Sequence, residues 1–167
     1  MANNVIKYFG EEWKPDYTKF ELSDWNLINK IDKTETILDV GCGYNLFKPI
    51  FGDRLYGIDP ANINADGVVS IEDFKTDEQW DVLFILGSLN FGTEEEVFTQ
   101  AKAAVDRLKP GGRIYWRQNP GIGDHPWKGV EEIQFFPWSF KYNLIFAETL
   151  GCEVVDLRWD TGHRIYS

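Results

Sequence analysis

Apolar residues occur along the chain in short continuous runs, separated by polar segments and by segments of helical periodicity. Seven such runs predict β-strands, at 36–40, 54–59, 68–71, 82–86, 113–116, 153–159 and 163–166. The run at 82–86 is wholly apolar, so we expect a central strand that is buried on both faces. The last two runs are joined by Asp160, Thr161 and Gly162, a sequence that is typical of a hairpin turn.

Helical patterns lie between these runs. Ser23 is a candidate N-cap for a short helix with one apolar side. Thr93 and Glu96 have the spacing of a capping box, and they open the most regular helical pattern in the chain. Residues 138–150 predict a last helix, which Gly151 closes. Because strands alternate with helices, we expect an α/β fold with a mostly parallel sheet and helices on both of its faces.

The length and charge of the chain narrow the class of protein. Its 167 residues predict a single domain over 1–167, in which 1–22 precede the first helical segment of the fold. The formal net charge is −10, from 27 acidic and 17 basic residues. This balance disfavours a general nucleic-acid binder and a protein that binds anionic membranes, because both need basic faces.

The apolar runs and the cysteines indicate the cellular compartment in which the protein is expected. No run is long enough for a membrane span, and the N-terminus lacks the apolar stretch of a secretory signal. Cys42 and Cys152 are the only cysteines, so they provide neither a disulfide framework nor, on their own, a metal site. We expect a cytoplasmic protein without a metal ion.

Aromatic residues are more numerous than a core of this size requires. The chain has 12 Phe, 7 Tyr and 7 Trp, which predicts that some rings line a pocket or cover a ligand. Four of these rings, on Tyr8, Phe9, Trp13 and Tyr17, lie in the segment 1–22. Two interpretations stay open for this segment, either a lid over the pocket or packing against an edge of the sheet.

The turn after the first predicted strand is the place to look for a ligand, because open α/β sheets bind ligands beyond the carboxyl ends of their strands. Residues 39–45 read Asp-Val-Gly-Cys-Gly-Tyr-Asn, and the two glycines allow the backbone a sharp turn and a close approach to a ligand. Asp59 ends the second strand, where a carboxylate can accept both hydroxyls of a ribose. A dinucleotide fingerprint needs a third small residue, but Leu46 stands there, so the nicotinamide interpretation is the weaker one.

Three stretches together resemble the motifs of class I S-adenosylmethionine-dependent methyltransferases. They are Ile-Leu-Asp-Val-Gly-Cys-Gly at 37–43, Gly-Ile-Asp at 57–59 and Leu-Lys-Pro-Gly-Gly-Arg at 108–113, and the resemblance extends over roughly 23–167. It implies a Rossmann-like three-layer sandwich whose seven-stranded, mostly parallel sheet ends in an antiparallel hairpin. It also implies S-adenosylmethionine as the cofactor, with direct attack of the acceptor on the methyl carbon in line with the departing sulfur.

The resemblance implies roles for individual residues. Asp39, Gly41 and Gly43 would surround the methionine part of the cofactor, and Asp59 would hold the ribose. Asn45 stands in place of the family's third glycine, and it tolerates the left-handed backbone of such a turn. The full implied cofactor-binding set is Asp39, Gly41, Gly43, Asp59, Ile71, Glu72, Asp73, Gly87 and Ser88. Ser70 occupies the usual position of the adenine-binding acid, so either Glu72 or Asp73 would replace it.

Candidate catalytic residues follow the fourth and fifth predicted strands. Asn90 should lie near the transferred methyl, although it also fits an ordinary turn residue. His125 lies in the long Gly/Pro-rich segment 119–137 and is either a general base or a solvated loop residue.

Candidate substrate residues are Trp116, Arg117 and Trp127, with Arg117 either an anion clamp or part of a surface ion pair. The motif of enzymes that methylate amino groups of nucleic acids is absent after the fourth strand, where Gly-Ser-Leu-Asn stands at 87–90. We therefore expect a small-molecule acceptor, with a protein side chain as the alternative. The main alternative is a non-catalytic module that binds S-adenosylmethionine or a nucleotide, and an open pocket beside Asn90 and Trp116 would favour the enzyme.

Overall fold

The secondary structure comes from a computed structural model, which describes residues 3–120, 133–162 and 164–167. The α-helices are α1 Asn3–Glu11, α2 Lys48–Phe51, α3 Glu94–Val105 and α4 Phe140–Thr149, with 3-10 helices at Asp24–Lys30 and Gly52–Arg54. The strands are β1 Ile37–Val40, β2 Leu55–Ile58, β3 Trp80–Leu86, β4 Leu108–Gln118, β5 Arg158–Asp160 and β6 Arg164–Tyr166. No helix in these ranges has both the length and the apolar composition needed to cross a membrane.

One sheet contains all of these strands, in the order β2-β1-β3-β4-β6-β5. The first four are parallel, with Asp39 of β1 in register with Gly57 of β2 and Phe84 of β3. Strand β6 runs antiparallel to β4 and to β5. The expected α/β sheet with a closing antiparallel hairpin is therefore confirmed.

The strand count is six in the described residues, so the expectation of seven is wrong. Residues 68–71 do not form a strand, and only a single bridge joins Ile58 to Gly67 in this region. The predicted strand at 153–159 is reduced to Arg158–Asp160. The physical reason is pairing: β6 is three residues long, so 153–157 have no neighbouring strand with which to form a ladder.

Two apolar clusters cover the two faces of the sheet. On one face Leu38, Leu83 and Ile85 pack with α3 and with Phe146 of α4. On the other face Ile37 and Phe84 pack with the 3-10 helix at Asp24–Lys30 and with α2. This is the expected three-layer arrangement, and both faces of β3 are buried as its wholly apolar sequence predicts.

Helix caps set where two of the helices begin. Thr93 and Glu96 form the predicted capping box of α3, and Ser139 caps α4 by accepting from the Tyr142 N–H. The expected side-chain cap at Ser23 is not formed. Its hydroxyl donates instead to the carboxylate of Asp160 at 2.8 Å, so Ser23 fastens the chain to the terminal hairpin.

Candidate functional site

Loops from the carboxyl ends of β1 and β2 are joined to each other by hydrogen bonds. The N–H groups of Gly41 and Cys42 both donate to the carbonyl of Ile58, at 2.8 and 3.0 Å. The N–H of Gly43 donates to the carboxylate of Asp59 at 2.9 Å. These bonds hold the glycine turn against the end of the second strand, at the edge of the sheet where the sequence predicts the ligand.

The glycine turn needs left-handed backbone at several positions. Gly41, Gly43 and Asn45 have φ values of 74°, 54° and 56°, a conformation that glycine and asparagine adopt at low cost. Asn45 thus replaces the family's third glycine without distorting the turn. A Cβ on Gly41 would lie 2.2 Å from the Cβ of Ser88, so the loops after β1 and β3 are in direct contact here.

Asp39 is a buried carboxylate with an unsatisfied oxygen. Its Oδ2 atom has no hydrogen-bond partner among the described residues. Burial, followed by the nearby charges of Asp59 and Asp24, raises the pKa of Asp39 to about 8, while the Arg117 guanidinium opposes this shift. A buried polar atom without a partner costs free energy, so this oxygen is suited to a donor supplied by a ligand.

Asp59 is nearly buried, and its carboxylate is held by three backbone donors. Oδ1 accepts from the N–H groups of Ala61 and Asn62, at 2.7 and 3.0 Å, and Oδ2 accepts from Gly43. A carboxylate offers about four acceptor sites, which leaves one for a hydroxyl group. These three donors therefore fix the orientation of the side chain.

A small cavity lies between the loops after β1, β2 and β3. Its volume is about 20 Å³, and its lining includes Gly41, Ile71, Glu72, Ser88 and Leu89. This volume accommodates about one water molecule and is smaller than a nucleoside.

Two acids were candidates for the adenine position, and the structure places them differently. Glu72 lines this cavity and accepts from Gln100 Nε2 at 3.2 Å. The Asp73 side chain is exposed, and its carboxylate accepts from the Ser70 hydroxyl at 2.9 Å.

Asn90 connects the loops that follow β3 and β4. Its Nδ2 donates to the Gly87 carbonyl at 2.7 Å, and its Oδ1 accepts from the Asn119 N–H at 2.9 Å. Ser88 is also used locally, because its hydroxyl donates to the carbonyl of Val40. Both ends of the Asn90 amide are therefore engaged, as expected for a residue that holds a turn.

The substrate residues predicted on β4 face in different directions. Trp116 is buried against Trp138, with ring centroids 5.4 Å apart. Arg117 forms an ion pair with Asp24 at 2.6 Å and donates to the Leu86 carbonyl, and its guanidinium lies 3.9 Å from the centroid of the Phe20 ring. Of the two interpretations of Arg117, the structure favours the ion pair. This pair is mostly buried, because tertiary packing brings Arg117 and Asp24 together. His125 and Trp127 lie outside the described residues.

The N-terminal rings pack over the loops of the site. Phe9 contacts Phe91 of the loop after β3, with centroids 5.2 Å apart. A Cβ on Gly43 would lie 2.8 Å from the Trp13 ring, and a Cβ on Gly10 would lie 2.9 Å from the carbonyl oxygen of Ala61. Helix α1 and Trp13 thus touch the loops after β1, β2 and β3, which is the position of a lid.

Asp160 anchors the chain that follows this N-terminal segment. Its carboxylate accepts from the N–H groups of Glu21 and Leu22, at 2.9 and 3.0 Å, in addition to the Ser23 hydroxyl. From the sequence, Asp160 is predicted to be a turn residue. Its three donors, two backbone N–H groups and one hydroxyl, lie in the distant segment 21–23. In the sequence, the one hint of a tertiary contact at Asp160 is its place in the turn between the last two predicted strands.

Cys42 lies in the middle of the glycine turn and is buried. Burial and the neighbouring acids Asp39 and Asp59 raise the pKa of its thiol, so it stays protonated at neutral pH. A protonated, buried thiol is a packing group rather than a nucleophile.

Comparison with known proteins identifies the fold. No protein-family model matches the chain, and no curated protein sequence matches it either. Solved structures do match.

Three similar structures are methyltransferases. The CcbJ methyltransferase from Streptomyces caelestis aligns with a TM-score of 0.64 and 13% identity, over 96% of this chain and 93% of that chain. The 1,6-didemethyltoxoflavin-N1-methyltransferase from Burkholderia thailandensis, solved with its 1,6-didemethyltoxoflavin and S-adenosylhomocysteine, gives 0.64 and 13%, over 79% and 68%. An O-methyltransferase family 2 protein from Planctomyces limnophilus, solved with apigenin, gives 0.59 and 12%, over 79% and 48%. At these identities the comparison concerns the fold alone: the chain has the fold of the S-adenosylmethionine-dependent methyltransferases.

Proposed function

We propose that this protein is an S-adenosylmethionine-dependent methyltransferase that acts on a small-molecule acceptor. The observation that carries the proposal is the unpaired, buried Oδ2 of Asp39 beside the glycine turn. An ammonium group is the complement of such an oxygen, and the methionine part of S-adenosylmethionine carries one. Asp59, already oriented by three N–H donors, retains an acceptor site for a ribose hydroxyl.

The charge of the site supports a cationic ligand over an anionic one. Asp24, Asp39 and Asp59 lie near one another, and Arg117 is the cation that faces them. A pyrophosphate placed here would raise the pKa of Asp39 further and be repelled by the neighbouring acids, whereas an ammonium or a sulfonium would favour the ionised form of Asp39 and be attracted to it. The nicotinamide-dependent alternative is disfavoured on this ground as well as by Leu46.

The residues of the chain provide binding and orientation. When bound, S-adenosylmethionine would supply a methyl group on a cationic sulfur. The lone pair of the acceptor would attack the methyl carbon, and the sulfur would depart in line as S-adenosylhomocysteine. Asp39 would orient the methionine end, Asp59 the ribose, and the cavity beside Ile71 and Glu72 would widen for the adenine. Gly87 and Ser88 would border the reacting methyl, where positioning contributes most of the acceleration. The base role of His125 stays a prediction.

A small-molecule acceptor fits the charge of the protein. The net charge of −10 opposes the binding of nucleic acid, whose phosphates require basic residues. Two of the methyltransferases with this fold were solved with small molecules, 1,6-didemethyltoxoflavin and apigenin. We therefore place the acceptor in this class.

A second candidate is a non-catalytic module that binds the same cofactor. It is favoured by one observation, the buried positions of Asn90 and Trp116, which leave neither side chain open to an acceptor. Both candidates share the site of Asp39 and Asp59, so they differ in turnover and not in cofactor binding.

Calorimetry and a product assay together test both candidates. We expect S-adenosylmethionine and S-adenosylhomocysteine to bind at a single site, with no binding of nicotinamide dinucleotide. A panel of small phenols, amines and nitrogen heterocycles should then yield S-adenosylhomocysteine with at least one acceptor. Binding without any product would favour the module, and absence of binding would exclude both candidates.

A further inference from the structure

A glutamine lies on the buried face of helix α3 among apolar side chains. The buried residues of this helix are Val97, Gln100, Ala101 and Ala104, and Gln100 is only 4% exposed. A primary amide in such a place costs free energy unless its polar atoms find hydrogen-bond partners. Apolar packing alone therefore does not account for Gln100.

The amide of Gln100 reaches a carboxylate on another loop. Its Nε2 donates to Oε1 of Glu72 at 3.2 Å, across a separation of 28 residues. Both residues line the small cavity between the loops after β1, β2 and β3. Helix α3 thus contributes a polar side chain to the position proposed for the adenine.

The backbone on either side of Glu72 is held in a turn. The N–H groups of Asp73 and Phe74 donate to the Ser70 carbonyl, at 3.2 and 3.0 Å. The Phe74 ring stacks on Tyr56, with centroids 5.7 Å apart. In this turn the Asp73 side chain is exposed and accepts from the Ser70 hydroxyl, whereas Glu72 lies at the cavity.

The carboxylate of Glu72 keeps one oxygen available. In the part of the chain that the structure describes, Gln100 is the only group that donates to this carboxylate. Since Oε1 accepts from Gln100, Oε2 is left for a donor supplied by a ligand. An ionised carboxylate accepts hydrogen bonds and donates none, so it distinguishes an N–H group from a carbonyl oxygen.

We propose that Gln100 is a positioning residue, which holds the Glu72 carboxylate for an exocyclic amino group and thereby selects a 6-amino purine over a 6-oxo purine. This inference rests on the proposed function, because the purine is that of S-adenosylmethionine. Adenine carries an N–H donor at position 6, whereas hypoxanthine carries an oxygen, which a carboxylate repels. A site built around a hydrogen bond rejects a ligand that cannot form it.

The alternative is that Gln100 only ties α3 to the turn at Glu72. The exchange Gln100→Met separates the two roles, because methionine has a similar length, packs well in apolar surroundings and has no N–H donor. Loss of a tie would weaken the binding of both purines in the same proportion. Loss of a positioning residue would change the ratio of the two affinities.

The test measures, by calorimetry, the affinities for S-adenosylhomocysteine and for its deaminated analogue S-inosylhomocysteine. We expect the unchanged protein to prefer S-adenosylhomocysteine by at least about tenfold, and Gln100→Met to reduce this preference at least about threefold. The matched control is Gln79→Met. Gln79 is exposed, and its Nε2 donates to the Leu108 carbonyl at 3.3 Å, outside the cavity. This control should retain the full preference.

A double-mutant cycle with Glu72→Gln tests whether Gln100 acts through Glu72. Glu72→Gln should itself reduce the preference, and adding Gln100→Met should reduce it no further, because no carboxylate is left to hold. An equal effect of Gln100→Met with and without Glu72 would overturn the proposal.

The remaining outcomes separate this proposal from the proposed function. Equal affinity of the unchanged protein for both purines, or an equal preference in Gln100→Met and Gln79→Met, would overturn the role of Gln100. In both cases the binding of S-adenosylhomocysteine would leave the proposed function standing. Absence of S-adenosylhomocysteine binding by the unchanged protein would exclude the proposed function, and the role of Gln100 with it.

Discussion

The backbone N–H of Gly43 donates to the carboxylate of Asp59 across 2.9 Å, and so joins the turn after β1 to the end of β2. Asp59 also accepts from Ala61 and Asn62, so a single side chain organises two loops of the candidate site. The residue assigned to the ribose therefore shapes the turn assigned to the methionine part. Changes at Asp59 should affect both portions of the ligand.

Asp59→Asn tests this double role. The amide retains an acceptor for Ala61 and Asn62, but its Nδ2 would face the N–H of Gly43 and break the link between the loops. We expect the affinity for S-adenosylhomocysteine to fall by more than ~1 kcal/mol, because a charged acceptor and a fixed turn are lost together. The matched control is Asp77→Asn, an exposed acid outside the candidate site. Calorimetry that gives both variants equal affinity would remove Asp59 from the site.

Asp39→Asn tests the effect of the buried carboxyl on stability. Its pKa rises from 3.8 to about 8 on folding, so between these values the folded state holds a proton that the unfolded state has lost. The free energy of unfolding therefore decreases as the pH rises through this window, by up to about 1.4 kcal/mol per pH unit from this group. We expect urea denaturation at pH 5 and pH 8 to show a smaller decrease for Asp39→Asn than for the unchanged protein.

The same variant should also lose affinity for S-adenosylmethionine, because an ammonium binds the ionised form of Asp39, and an amide cannot ionise. Unchanged affinity together with the altered pH dependence would make Asp39 a buried structural residue without a ligand.

Gly41→Ala and Gly111→Ala form a matched pair. Both glycines have positive φ, 74° and 77°, but a Cβ on Gly41 meets Ser88 at 2.2 Å, whereas one on Gly111 meets no atom within 4 Å. Gly111→Ala should cost about 1–2 kcal/mol from backbone strain alone, and Gly41→Ala clearly more. Adding Ser88→Gly should restore part of the loss at Gly41, and equal unfolding free energies for the two alanine variants would contradict the contact.

Arg117→Met should destabilise the protein by about 3–5 kcal/mol, because Asp24 would be left as a buried carboxylate without its cation. In the double variant Asp24→Asn with Arg117→Met, the loss should be smaller than the sum of the two single losses. Urea denaturation of the four proteins measures this coupling. A stable Arg117→Met protein with impaired turnover would instead favour the anion clamp.

Trp13→Ala should accelerate the release of S-adenosylhomocysteine several-fold, because the ring covers the turn at Gly43. Stopped-flow displacement measures the dissociation rate, with Trp159→Ala as the control on β5 at the far edge of the sheet. Identical dissociation rates in the two variants would show that the N-terminal segment packs on the site without limiting exchange.

Local backbone demands explain what the sequence predicted well. The glycine turn at Gly41 and Gly43 and the capping box at Thr93 each depend on a few consecutive residues. Such conformations depend mainly on the local residues, so a short stretch of sequence is enough to predict them. The wholly apolar run of β3 likewise leads to burial whatever its neighbours are.

Pairing across the chain explains what the sequence did not predict. Residues 153–157 have the composition of a strand but lack a neighbour, because β6 is short. Arg117 finds Asp24 at a separation of 93 residues, and no periodicity encodes this contact. The role of Asn90 also depends on Asn119, which belongs to another loop.

The bonds between Asp160 and the segment from Glu21 to Ser23 join positions 137 to 139 residues apart. On a ribosome, the segment from Glu21 to Ser23 is synthesised long before Asp160. Contacts of such separation form late, since closing a long loop must precede them. The nascent chain therefore assembles its central strands while the site above them is still uncovered.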